Sequence, residues 1–362
     1  PRARRRLAGG AAAGGQRRRL ERDARVRAVR GRGRAGAHGR VEVLPLLGPR
    51  VPDSYHRTEA LLSEVRRAAG AHGEVAIQVE EVRDPLGTGE AAPSLTVATA
   101  FDESRAGPPR ARMLVVANEH ARELVTGEIA LGVVERLASA GGPEPGSAAL
   151  RLRALLRRGL EITVVPVASP EGRALAETWR PCQRGTADVP LLSTDLNRNF
   201  PFDWTPGLAA NFLNSSLELH GTAPFSAYQA RVIRAVAERH QWDAFVDLHS
   251  GARSLNLPYG RRAEGSSDLQ EQLRALEGVR SFCPDCRQGP ARAVMGYDNP
   301  GQLMDWMYED RGVKYSYVWE VFAATGLCAP HFNPVSAGEP DRLVEQWCGA
   351  LAALGEYVLE QV

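Results

Sequence analysis

No stretch of the 362-residue chain approaches the roughly 18 apolar residues that a membrane-spanning helix requires, which excludes a transmembrane reading. Cysteine is scarce. Cys182, Cys283, Cys286, Cys328 and Cys348 are too few for a disulfide-built scaffold, although one or two bridges inside a normally packed fold stay open. Cys283-Pro284-Asp285-Cys286 has no second ligand pair nearby, as a zinc knuckle needs, so a disulfide or a pair of free thiols is expected there. The chain does not begin with Met, and Leu7 to Gly15, mostly Ala and Gly, is too weakly apolar for a secretory signal, so an incomplete N-terminus is expected. Neither sign of charge dominates: the net charge is +2, with Arg crowded into the first fifty residues and a mildly acidic remainder. The location stays open, with a secretory, extracellular or vacuolar one as the expectation. Only there would the acceptor pattern Asn214-Ser215-Ser216 matter.

What is present points to one folded domain behind a tail. Residues 1–50 combine Arg, Gly and Ala with almost no aromatic or β-branched side chains, too little apolar surface to offset ordering entropy, so a disordered basic tail is expected. Without interleaved aromatics that tail predicts no nucleic-acid partner. A catalytic-sized domain is expected over residues 51–362, and 43% hydrophobic content is ample for its core. Apolar, β-prone runs at Val75 to Val82, Ser94 to Ala100, Arg112 to Ala117, Glu161 to Val167, Ala244 to Leu248 and Tyr315 to Phe322 read as strands. Helical spacing appears near Ala60 to Ala68 and over Glu123–Ala138, Ala148–Arg158, Ser226–His240, Ser267–Leu276, Gly301–Tyr308 and Pro340–Leu359. The alternation predicts α/β. The connections from Pro166 to Phe225 and Leu255 to Tyr297 read as long and irregular, the kind that carries function.

One strand, Arg112 to Ala117, runs into Asn118-Glu119-His120-Ala121-Arg122-Glu123, so His120 and Glu123 can face one metal from a strand mouth. An imidazole nitrogen and a carboxylate oxygen suit zinc, and a catalytic site needs three protein ligands. His249 can be the third, because His249-Ser250-Gly251 follows the strand Ala244 to Leu248 at its carboxyl end. Taken singly, His120 reads equally well as a surface or capping residue and His249 as a satisfied core histidine. Two further segments bear on this: Thr194-Asp195-Leu196-Asn197-Arg198-Asn199-Phe200-Pro201, and Tyr315-Ser316-Tyr317-Val318-Trp319-Glu320, a strand ending on a carboxylate.

Together, in this order from Tyr55 to Val358, these motifs resemble the zinc carboxypeptidases related to carboxypeptidases A and B, and the resemblance implies a single-domain mixed β-sheet flanked by helices. The resemblance implies one zinc on His120, Glu123 and His249, with Asp195 accepting the second ring proton of the first histidine. It implies Glu320 as general base toward the zinc-bound water, and Arg122, Asn197 and Arg198 on the substrate side, the last two holding the terminal carboxylate. Tyr297, eight residues before Asp305-Trp306, matches the family's mobile tyrosine. Counting from the turn Ser169-Pro170-Glu171-Gly172, the arginine near the transition-state oxyanion is Arg184, with Arg180 as the other candidate. Met304 occupies the position at the base of the specificity pocket in pancreatic relatives, and its neutral side chain implies a preference for apolar terminal residues. The Cys283–Cys286 loop and Cys328 are closer to plant and protist members than to the pancreatic enzymes. The expected partners are peptide or protein C-termini acted on by a monomer. An acylase or amidase of the same fold, or a catalytically inactive peptide-binding relative, are the competing readings.

Overall fold

The computed structural model describes residues 54–89, 91–139, 144–178, 180–187, 192–210 and 217–362. The expected Arg-rich tail and Asn214-Ser215-Ser216 lie outside the described residues. Among the described residues twelve strands are present: β1 (Gly70–His72), β2 (Val75–Arg83), β3 (Ser94–Asp102), β4 (Ala111–Ala117), β5 (Leu160–Val165), β6 (Leu192–Thr194), β7 (Leu208–Ala210), β8 (Leu217–Leu219), β9 (Ala244–His249), β10 (Ser254–Leu257), β11 (Arg287–Pro290) and β12 (Tyr315–Glu320). Nine of them form one mixed sheet in the order β1-β2-β3-β5-β4-β9-β12-β10-β11, and β6-β8-β7 form a small second sheet.

The centre of the large sheet, β5-β4-β9-β12, is parallel, and antiparallel pairing begins at β3 on one side and β10 on the other. Parallel strands are covered on both faces and read as unbroken apolar runs. In β4, Met113, Val115 and Ala117 enter one core while Leu114 and Val116 enter the other, as the period-two pleat requires. The first core is closed by helices Thr58–Arg67, Leu124–Ala138, Ala148–Arg157 and Glu339–Glu360, the second by Tyr228–Ala237 and Leu303–Glu309.

The expected strands and helices are found, their ends shifted by at most three residues. Leu255 to Tyr297 is more regular than its sequence reads, because β10 and β11 extend the sheet there. Each is four residues long, too short for a period-two pattern to stand out. Among the described residues no helix is long and apolar enough to cross a membrane. The expected choice at the cysteine pair falls to a disulfide, Cys283–Cys286; Cys182 bonds Cys328, and Cys348 is a buried free thiol.

From β4 the chain first crosses to β5 on one side, and the later β9 lies against β4's other edge. The connections therefore diverge at the carboxyl ends of β4 and β9, the crevice where open α/β sheets seat ligands. His120, Glu123, His249 and Glu320 all follow or end strands at this edge.

Candidate active site

Ala117 ends β4 and the chain must turn at once to bring the next residues back over the sheet edge. Asn118 makes that turn at φ 57°, a left-handed conformation that asparagine tolerates better than most side chains. Its amide is fixed on both sides: Nδ2 donates to the His120 carbonyl at 2.9 Å and Oδ1 accepts from the buried Arg173 guanidinium at 2.7 Å. Glu123 then opens helix Leu124–Ala138. His249 arrives from β9, and the parallel register sets Glu320 of β12 directly opposite it.

Three donor groups converge in the crevice. His120 Nδ1 lies 2.8 Å from Glu123 Oε1, His249 Nδ1 lies 3.0 Å from Glu123 Oε2, and the two imidazole nitrogens are 3.0 Å apart. All three side chains are buried. Burial opposes the charge on Glu123, but the two imidazoles outweigh it and hold the carboxyl below its usual range. The Ser250 amide donates a further bond to Glu123 Oε2 at 3.0 Å.

Each histidine is braced through its far nitrogen. His120 Nε2 faces Asp195 Oδ1 at 3.2 Å, and Asp195 Oδ2 accepts from Arg184 Nε at 2.9 Å, so one carboxylate ties the histidine to the arginine. Burial works against Asp195, yet Arg184 first and Arg198 next hold it well below the usual carboxylate range. His249 Nε2 meets Asp247 Oδ2 at 2.8 Å, with the Asn197 amide 3.1 Å away and Glu119 Oε2 at 3.5 Å. Glu119 is fully buried, and burial followed by the Asp247 carboxylate pushes it well above the carboxylate range. Asp247 and Glu119 did not stand out in the sequence. The readable signal was an aspartate two residues before His249 in an otherwise apolar strand, hence on the same face.

The cavity in front of the triad is lined by His120, Arg184, Asn197, Arg198, His249 and Glu320, with Tyr297, Asn299, Gln302, Asn256, Ala291, Met295 and Val318 completing its walls. Arg198 donates to the Asn197 carbonyl at 2.6 Å and to Asn299 Oδ1. Asn197 Oδ1 accepts from the Leu303 amide at 2.9 Å, so this side chain is partly committed to the protein itself. Tyr297 is about half exposed at the mouth, following Gly296 at φ 83°. Glu320 opens onto the cavity and accepts from the Ala252 amide at 3.2 Å. Burial, then the charge of Glu123, raises its carboxyl above the ordinary value.

Of the two candidate arginines, Arg184 lines the cavity and Arg180 does not. Two further expected residues lie away from the cavity lining. Met304 is fully buried in the core with Leu303, Trp306 and Met307 and is not a lining residue, because its position on helix Leu303–Glu309 faces β12 rather than the crevice. Arg122 also does not line the cavity; its guanidinium stacks 4.1 Å over the ring of Phe332, the last residue of helix Ala329–Phe332.

A family model described as zinc carboxypeptidase matches residues 86–334, more than half of the chain. The chain belongs to the zinc carboxypeptidase family. Carboxypeptidase A2 of Mus musculus is 30% identical over 216 residues, covering 57% of this chain and 49% of that protein. Carboxypeptidase A4 of Mus musculus is 23% identical over 286 residues, 74% of this chain and 62% of that protein. The chain thus spans between about half and two-thirds of the length of these relatives. The fold is shared with the crystal structure of thrombin activatable fibrinolysis inhibitor, at TM-score 0.68 and 21% identity over 87% of this chain and 78% of that one. It is shared equally with carboxypeptidase A from Helicoverpa armigera, at TM-score 0.66 and 19% identity over 86% and 75% of the two chains.

A zinc carboxypeptidase implies zinc, and the donor set fits it. Two imidazole nitrogens 3.0 Å apart can share only one proton, so facing lone pairs at this distance suit a cation between them. Bonds of 2.0–2.1 Å to a tetrahedral zinc would put its ligand atoms about 3.3 Å apart, close to the separations within this triad. A second cluster, Glu119, Asp247 and His249, shares only His249 and lies on its far nitrogen, where the carboxylates brace the ring.

Proposed function

We propose that this chain is a zinc-dependent metallocarboxypeptidase that removes the C-terminal residue of peptides or proteins. The observation that carries the reading is the convergence of His120, Glu123 and His249 beside Glu320 in a cavity that also holds Arg184 and Arg198. Two histidines and one glutamate would hold the zinc, with Asp195 and Asp247 fixing the two rings. The metal, when bound, would make water more acidic and polarise the scissile carbonyl.

The protein's own groups do the rest. Glu320, its proton affinity raised by burial and by Glu123, takes the proton from the attacking water and returns it to the leaving amine. Arg198 reads the terminal carboxylate, helped by Asn197, since a guanidinium can donate two parallel bonds to one carboxylate. Arg184 keeps a fixed positive charge where the carbonyl oxygen becomes negative, because its Nε is tied to Asp195. Tyr297 stands at the mouth, where it can cover bound substrate. A preference for uncharged terminal residues is supported by Ala291, Met295 and Val318 in the wall, since an entering cation would be desolvated there without a partner.

Matched peptides ending in a free acid or an amide test the reading. The acid form should lose one residue at a time while the amide resists, because only the acid gives Arg198 a charge to bind. Equal hydrolysis of both forms would favour the acylase or an endopeptidase instead.

A further inference from the structure

The wall of the cavity opposite the metal ligands is built by β10, β12 and helix Ala291–Met295. Antiparallel pairing sets Ser254 against Glu320 and Asn256 against Val318. Side chains on paired strands alternate in step, so Asn256, Val318 and Glu320 share the cavity face, whereas Leu255, Tyr317 and Trp319 enter the opposite core. Asn256 therefore brings an amide into the wall that it shares with Ala291, Met295 and Val318. It is 2% exposed, and its Oδ1 has no hydrogen-bond partner among the described residues. The other side-chain amides that line the cavity are engaged: Asn197 Oδ1 accepts from the Leu303 amide, Asn299 Oδ1 accepts from Arg198, and Gln302 Nε2 donates to the Asn299 carbonyl at 3.1 Å. Ser254, next on the same face, reaches only Met295 Sδ, at 4.0 Å.

An amide oxygen sealed from water without a partner is costly, so it is found where a ligand supplies the missing donor. We propose that Asn256 selects the terminal side chain: its Oδ1 accepts a hydrogen bond from a neutral donor, and the cavity takes a terminal asparagine or glutamine in preference to leucine or methionine of the same shape. The inference rests on the carboxypeptidase reading and names the substrate class for that site. An aliphatic side chain would fill the same space but leave Oδ1 buried and unmet. A lysine or arginine could donate, but a single amide oxygen beside Ala291, Met295 and Val318 does not replace the water a full charge loses. Sites built around a hydrogen bond reject the analogue that lacks it more strongly than apolar pockets reject a missing methylene.

The test uses the zinc-loaded full chain with benzoyl-glycyl-asparagine and benzoyl-glycyl-leucine, which differ only in the terminal side chain. The wild-type kcat/KM should favour asparagine by about tenfold or more, and Asn256→Leu should reverse the order by a similar factor with its zinc content unchanged. Equilibrium binding of free L-asparagine and L-leucine should follow the same order in each protein. If the leucine variant fails to fold, Asn256→Ala carries the comparison and should erase the preference. Wild type favouring leucine, or a ratio unmoved by the substitution, overturns the role of Asn256 while leaving the exopeptidase reading intact. Failure to cleave either acid peptide removes both.

Discussion

A carboxylate that takes a proton from water needs more proton affinity than a surface glutamate has, and Glu320 has surroundings that supply it. Burial disfavours its charge, and Glu123 adds a like charge across the crevice, so both act in the same direction. A raised value means that the group is protonated, and idle as a base, over a wider acid range. The acid limb of kcat/KM should accordingly have its midpoint above the ordinary glutamate value of 4.5, with activity rising as pH increases through it. Glu320→Gln should keep the fold and the zinc but lower turnover by about 10²–10⁴-fold, since an amide cannot accept that proton. Near-normal turnover in this variant would remove Glu320 from the chemistry. The residues that carry this chemistry were legible because each follows or ends an apolar strand. Asp247 could have been read from its two-residue spacing to His249, whereas Glu119, in the turn after β4, and Asn256, in a four-residue strand whose face is set only by pairing with β12, could not.

Helix Leu303–Glu309 illustrates how an element's place in the sheet decides what its side chains can do. Helical spacing alone leaves Met304 free to face either way, and its packing against β12 turns it into the core, away from the cavity. The same docking buries Asp305, whose Oδ2 accepts from the Gly260 amide at 2.9 Å while Oδ1 has no partner among the described residues. Burial, the largest cause, pushes this carboxyl up to about 7 from 3.8. The folded state then binds a proton that the unfolded chain has already released. The stability this contributes is full below pH 3.8 and is lost as pH rises toward about 7. Asp305→Asn keeps the shape and removes the titration, so the variant should gain on wild type as pH rises through that window, by about 1–4 kcal/mol at neutral pH. Urea melts of both proteins at several pH values would measure it. Parallel stability profiles would show that Asp305 is not held neutral. The strands and helices themselves were legible from their periodicity, whereas β10 and β11 were hidden because four residues cannot display one.

Across the whole molecule, the sheet brings together residues as far apart in sequence as His120 and Glu320, so the site exists only when the sheet is assembled. A cation bound by the native state alone adds stability by mass action, and loss of the metal should lower the melting temperature as well as the activity. Family membership and fold are established by the match over residues 86–334 and by the shared architecture, and what remains to be measured is whether the assembled donors work as one hydrolytic centre. The most direct measurement is a zinc titration of the metal-free chain, following bound metal and release of the terminal residue from an acid-ended peptide in the same samples. Both should rise together and level off at one zinc per chain, and His120→Ala with His249→Ala should abolish both. Full activity without metal, or stoichiometric zinc retained by the double variant, would contradict a single catalytic zinc on His120, Glu123 and His249.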